Sequence, residues 1–387
     1  MKRRLLQCVA LLAALWVLAG CSDGRRQRYA QGMELYREGN LQEAREVFEA
    51  GLAEEGDYGP YHLGRALVAF EEGDTDQALA DLDTAIALDP DDGLAYSKRG
   101  YIHLGLGYRN AASEDLQNAL ERVRTIRDRE ERYQLYLNLG TLRREMRDPE
   151  AALKWYKEAL ALEKRDPGLY NALGMVHMDL GDGDAAMEMY GNAIDLDPGN
   201  AYAFGNRAVA FESRGQLELA LSDAATGIRL DPGIPQLYLV KARVERELQD
   251  PAAAEQTLLR AVERWSGYGD AHLLLGEILF EQEDHLQAIV HFSHAKDAGN
   301  QEGHFWMGEA YRALGQPQDA IGAYRTYLDT EEGVANLEQG ILGLGIAYKE
   351  NGNGDLALET VEQLLARNPQ HPQATELRSA WMESKEE

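Results

Sequence analysis

The chain repeats itself. The stretches LDPDDGLAYSKRG, LDPGNAYAFGNRA and LDPGIPQLYLVKA each place Asp-Pro, then an aromatic residue, then a small one at comparable spacing. Two of their prolines, Pro198 and Pro232, stand 34 residues apart. Followed along the sequence, that period marks ten units starting near residues 25, 59, 93, 133, 167, 201, 235, 269, 301 and 338, with six extra residues after the third and small adjustments near the end. A period of this length constrains the fold more than composition does. One repeat cannot bury its own apolar face, so neighbours must stack. The 387 residues would otherwise suggest two or three globular domains.

Within each unit the small residues are placed with regularity. Position 20 is alanine in all ten, from Ala44 to Ala357, and position 8 is always Gly or Ala, from Gly32 to Gly345. Two helices of a hairpin cross closely at such points, where a larger side chain would hold the backbones apart. Between them a turn is marked by Gly39, Gly73, Gly107, Gly181, Gly215, Gly315 and Gly352, or by Asp-Pro at Pro149 and Pro251. Glycine ends a helix in a left-handed conformation, and proline cannot continue one. Aromatics such as Phe48, Tyr156, Tyr190, Phe292 and Tyr324 fall at position 24 and read as core.

These spacings resemble the tetratricopeptide repeat, over residues 25–371. The resemblance implies an all-α fold: a right-handed superhelical solenoid of about ten helix-turn-helix repeats with helix A lining a concave surface. Two units depart from the pattern. Gly51 and Gly56 replace alanine and proline in the first, and Tyr327 takes a small-residue position in the ninth, so distortion is expected there. The tail 372–387, with Ala374, Leu377, Ala380 and Trp381, reads as a capping helix over the last repeat.

In this family the concave face commonly receives a peptide or helix through positions near 2, 5, 9, 12 and 13 of each unit. Carried over, the resemblance assigns to a partner groove the apolar residues Tyr29, Met33, Tyr36, Leu63, Leu67 and Phe70, with Tyr101 continuing the set. Such residues suit a groove for a partner helix, or a tighter coil that buries them within the array. The middle units offer Asn138, Arg144, Asn171, Met175, Asn206, Arg243 and Arg246, whose amides and guanidinium groups suit a peptide backbone. Phe305, Trp306 and Arg312 make an aromatic and basic cluster near the end. The basic and asparagine clamp that some members use for a terminal carboxylate is absent as a set.

The chain has a formal charge of −27, and removal of residues 1–20 with their three positive charges takes it to −30. That balance argues against general nucleic-acid binding, which needs clustered Lys and Arg. The charge is uneven: residues 93–166 carry fifteen basic against twelve acidic side chains, whereas 269–387 carry seven against twenty-one. The insertion ERVRTIRDREER, residues 121–132, reads as a longer solvated helix with ion pairs at four-residue spacing. His291 and His294 lie three apart on a helix with His285 nearby, yet no placed third ligand makes a metal site of them, and surface histidines are the expectation. No nucleophile elbow, phosphate loop or paired zinc motif is present, and no cofactor is expected.

The N-terminus carries a separate message. Lys2, Arg3 and Arg4 precede an apolar run from Leu5 to Ala19, shorter than the roughly 20 residues of a spanning helix and arranged like a secretory signal. Leu18, Ala19, Gly20 and Cys21 resemble the lipobox of bacterial lipoproteins, which implies cleavage before Cys21 and lipidation of its thiol, with residues 21–24 as a short tether. Stable attachment takes about two acyl chains, so such an anchor is permanent. Ser22 after the cysteine favours the outer over the inner membrane. The other cysteine, Cys8, leaves with the signal, so no disulfide is available.

These readings point to a non-catalytic, periplasm-facing adaptor that holds protein partners in an envelope assembly: pilus or secretion, peptidoglycan-enzyme, or polysaccharide-export machinery. The alternative is an enzyme or small-ligand receptor with its site inside the coil, for which convergent polar groups in a closed pocket would speak.

Overall fold

The computed structural model describes residues 24–329 and 336–386. Residues 1–20, read above as a signal, and Cys21 lie outside them. Every regular element described is an α-helix, and none is long and apolar enough to cross a membrane. The helices fall in two compact units, one ending at Met189 and the next beginning at Tyr190. The first holds α1 (24–37), α2 (Leu41–Glu55), α3 (Gly59–Glu71), α4 (Thr75–Leu88), α5 (Gly93–Gly105), α6 (Arg109–Glu121), α7 (Arg129–Glu145), α8 (Pro149–Leu162) and α9 (Pro167–Asp179), and α10 (Gly183–Leu196) contains the boundary. The second holds α11 (Ala201–Ser213), α12 (Leu217–Leu230), α13 (Pro235–Glu247), α14 (Pro251–Arg264), α15 (Gly269–Glu281), α16 (His285–Asp297), α17 (Glu302–Ala313), α18 (Pro317–Leu328), α19 (Leu337–Glu350), α20 (Gly354–Arg367) and α21 (Pro372–Glu386).

Odd-numbered helices are the A members of hairpins and even-numbered ones the B members. Within each unit a hairpin packs its B helix on the next A helix, and successive A helices also touch. The result is an all-α repeat solenoid.

Local chemistry explains why the helices stop and restart on schedule. Gly73 takes φ +84° between α3 and α4, a conformation open to glycine at no steric cost. Asp74 follows, and its Oδ1 accepts from the Gln77 N–H at 3.1 Å, capping α4. Asp148, Asp250 and Asp284 cap α8, α14 and α16 in the same way. Part of the chain's acidity is therefore helix capping. The recurring LDP stretches are turns: Asp89, Asp197 and Asp231 each accept, through Oδ1, from the backbone N–H two residues on.

Position 8 and position 24 are complementary in volume. A Cβ on Gly32 would stand 2.4 Å from the Phe48 ring, and one on Gly64, in the next A helix, also 2.4 Å from it. Tyr156 lies against Gly140 in the same way, Phe292 against Gly276, and Tyr324 between Gly308 and Gly343. Where position 8 is alanine the partner shrinks: Ala66 shares a cluster with Leu82, Ala242 with Leu258, and Ala208 with Ala224. The rings are fully enclosed, with Phe48, Phe292 and Tyr324 at 0% exposure.

The departures from pattern are accommodated. Gly51 leaves space for Tyr61, whose ring a Cβ there would approach to 2.7 Å. Tyr327 is buried, donates its hydroxyl proton to Glu302 at 2.9 Å and accepts from the Asn336 N–H at 3.0 Å. Segment 121–132 is not one longer solvated helix. The α6 helix ends at Glu121, the chain turns, and Ile126 plugs into the apolar cluster of α6 and α7 at 3% exposure before α7 begins at Arg129. Burying one isoleucine outweighs continuing a helix into water.

A recurrent ion pair joins A to B. Arg65, Arg99 and Arg207, at position 7, form paired hydrogen bonds to Asp81, Asp115 and Asp223 sixteen residues on. All three aspartates are buried. Unit seven substitutes Lys241, which donates to Thr257 at 2.9 Å.

Candidate functional site

Two pockets on A-helix faces gather residues the sequence had singled out. In the first compact unit Tyr36 of α1, Leu67 and Phe70 of α3, and Tyr101 of α5 line a cavity of about 100 Å³, with Glu71 and Lys98 at its rim. Phe70 meets Tyr101 edge-on at 5.7 Å. The Tyr36 hydroxyl donates to Glu71 at 3.2 Å, and burial, aided by that carboxylate, pushes its pKa up to about 12. Tyr101 stays 46% exposed, so an aromatic face is presented to solvent.

In the second unit Phe305, Trp306, Glu309 and Arg312 of α17, Leu342 and Ile346 of α19, and Gln373 of α21 line a cavity of about 320 Å³. Trp306 is half-buried and held by rings on three sides. It stacks on Phe292 at 5.9 Å and meets Phe280 and Phe305 edge-on at 5.8 and 5.5 Å. Arg312 donates to Glu350 at 3.1 and 3.3 Å. Burial opposes the Arg312 charge, but the hydrogen bond to Glu350, together with Tyr324 and Glu309, outweighs it and raises its pKa. A rigid aromatic wall beside a paired guanidinium suits an apolar side chain with a polar backbone next to it.

Other candidates are placed differently. Leu63 at 2% exposure, Phe305 at 6%, Leu67 at 8% and Met33 at 9% belong to the core, because the α1, α3 and α17 faces that carry them also pack on neighbouring helices, and Leu67 and Phe305 reach their pockets with little surface. Leu63 therefore has almost no surface to offer a partner, which corrects its assignment to a groove. Asn138 is buried at 8%, whereas Tyr29, Asn171, Met175 and Asn206 are half-buried. The arginines are already engaged across neighbouring A helices: Arg144 with Asp179 at 3.8 Å, Arg243 with Glu212 at 2.8 Å, and Arg246 with Glu277 at 2.8 Å. Any partner must share or displace those carboxylates.

His285 does not join His291 and His294. Its ring lies 4.9 Å from Phe280, and the third imidazole beside the pair is His272, from α15. Spacing along one helix could not reveal a residue nineteen positions upstream. Among the described residues no three His, Cys, Asp or Glu side chains are arranged to hold a metal ion.

The family model of the tetratricopeptide repeat matches residues 29–93, 63–108, 171–235, 239–303 and 342–379, more than half of the chain. The chain is a tetratricopeptide repeat protein. Two further models of the same repeat match 135–170 and 302–330. Among solved structures, the protein is similar to yeast Tom70, with 14% identity, 94% of this chain and 97% of that one covered, and a TM-score of 0.50. It is also similar to Pseudomonas aeruginosa pilF, at 16%, 55%, 97% and 0.48 in the same order, and to YrrB, described as a tetratricopeptide repeat protein with an unusual peptide-binding site, at 23%, 50%, 96% and 0.43. At such identities the likeness is one of fold. No curated protein matches the chain. Membership of this family indicates a protein-protein interaction scaffold, a role generally without catalysis.

Proposed function

We propose that this tetratricopeptide repeat protein is a non-catalytic adaptor of the bacterial envelope, lipid-anchored through Cys21, facing the periplasm from the outer membrane, and holding protein partners in an envelope assembly. The anchor reading is supported by the basic tip, the short apolar run and the Leu18-Ala19-Gly20-Cys21 sequence. The adaptor reading is carried by the pocket around Trp306. It is open, walled by aromatic and aliphatic side chains, and rimmed by Arg312 and Glu309, as an anchor site for a partner side chain requires. The Tyr36, Leu67, Phe70 and Tyr101 pocket is a second contact of the same character.

Both parts have direct tests. Cys21→Ser is expected to abolish fatty-acid labelling of the chain expressed in bacteria; labelling that persists in the variant removes the anchor. For the adaptor, pull-down from detergent-solubilised envelopes is compared between wild type, Trp306→Ala and Phe70→Asp, each first checked for helix content and melting temperature. Loss of a buried aromatic anchor costs at least about 2 kcal/mol of binding, roughly thirtyfold in affinity, so partner recovery should collapse in folded Trp306→Ala. Leu286→Ser, at a 66% exposed position on α16, should leave it unchanged. Equal recovery from wild type and both pocket variants would dismiss the pockets as contacts, and turnover activity in the purified protein would move it to the enzyme class.

A further inference from the structure

Three imidazoles meet where α15 packs on α16. His272, at 5% exposure, places its Nε2 3.1 Å from the Ser266 carbonyl oxygen and its Nδ1 3.0 Å from the Nδ1 of His291. A carbonyl only accepts, so His272 Nε2 carries the proton and donates. Neutral His272 then has a lone pair on Nδ1, and His291 must donate its Nδ1 proton to it. The tautomers of both rings follow from one backbone carbonyl. The His294 ring completes the group, 4.9 Å from that of His272 and 6.5 Å from that of His291.

Such an arrangement accepts no proton on His272 without loss. Protonated His272 would aim an N–H at the N–H of His291, and a second charge in the trio would face the first. The surroundings offer little relief. Neither His272 nor His291 has a carboxylate acting on it from α14, α15 or α17. Asp297 of α16 faces His294 and His304 of α17, but it is paired with Lys296 at 2.7 Å. Asp270 of α15 accepts from Asn300 at 2.9 Å. Burial, reinforced by the neighbouring imidazoles, lowers the pKa of His291 to about 4 and lowers that of His272.

We infer that His272, His291 and His294 form a proton-sensitive clasp between α15 and α16, closed when the trio is neutral and opened when mild acid loads it. The same two helices carry Phe280 and Phe292, the rings that hold Trp306. Opening the clasp therefore loosens the wall of the Trp306 pocket, a consequence that bears on partners only if the adaptor reading holds. The sign follows from linkage. An unfolded histidine titrates near 6.5, so below that pH the open or unfolded state binds more protons than the closed one. The stabilisation is complete above about pH 6.5 and is lost as pH falls toward the depressed values of folded His272 and His291.

The test uses the full chain in a non-ionic detergent. Imidazole NMR should place the His291 midpoint near 4 and that of His272 below 6.5. Amide exchange in α15 and α16, corrected for intrinsic rates, should show protection falling about thirtyfold from about pH 7.5 to about pH 5. The fluorine signal of 5-fluorotryptophan at Trp306, assigned with Trp306→Phe, should shift over the same range without any partner present. His291→Gln should flatten the protection profile about tenfold or more. His294→Gln, at an exposed position, serves if His291→Gln fails to fold, and should flatten it in part. Midpoints of His272 and His291 at or above about 6.5, or a profile unchanged in both variants, would overturn the clasp. A clasp that behaves as stated while envelope partners ignore Trp306→Ala would leave the clasp intact and reject the adaptor site.

Discussion

Tyr324→Ala is expected to destabilise the second compact unit by about 3–5 kcal/mol, measured as a shift in the denaturant midpoint. The ring is fully enclosed between the Cα atoms of Gly308 and Gly343, two glycines that have no side chain to move into the space it would leave. Its hydroxyl also donates to Glu309, so truncation strips that carboxylate of a partner. Tyr324→Phe keeps the volume and should cost less, about 1.5–3 kcal/mol, the net worth of one hydrogen bond to a charged group. Because each hairpin depends on its neighbours, exchange protection in α19 and α20 should fall with that in α17 and α18. A cost below about 1 kcal/mol for the alanine variant would mean that the ring is not the filler of the crossing.

Asp81→Ala is expected to cost the first unit about 3–5 kcal/mol, since it leaves a guanidinium facing the protein without its counter-charge. Asp81 is 2% exposed and accepts from Arg65 at 2.7 and 2.8 Å and from Gln77 at 3.0 Å, with His62 Nδ1 at 3.1 Å. Burial raises the carboxyl pKa, but the hydrogen bonds from Arg65, His62 and Gln77 outweigh it and hold it below the usual carboxylate range. The folded value being the lower one, the stabilisation is fully present above about pH 4 and disappears as pH falls through the folded pKa. Thermal melts of wild type should therefore lose stability at that acid end, and the alanine variant should lose less there. The two acid responses of the chain are separable: the histidine clasp acts below about pH 6.5 in α15 and α16, the aspartate below about pH 4 in α3 and α4.

Much of this architecture is written in the order of the residues. The 34-residue period, the small residues at positions 8 and 20, and the turn glycines are local requirements of a helical hairpin, and each repeats because each hairpin is solved the same way. Tyr36, Leu67, Phe70, Tyr101, Trp306 and Arg312 could be picked out for the same reason, since one face of helix A recurs at a fixed position in every unit. Which members of that face remain open was not legible. Leu63 carries the right position and the right chemistry, yet the packing of neighbouring helices closes over it, and Leu67 and Phe305 keep only 8% and 6% of their surface at their pockets. The pairs Arg65 with Asp81 and Arg99 with Asp115 left a trace in the sequence as a sixteen-residue spacing, but nothing in a spacing says that two side chains converge. Ile126 and His272 left none. Their roles depend on where a turn folds back and where two helices cross, and a crossing sets side chains from distant positions within 3 Å of each other through interhelix geometry that no single-helix period contains.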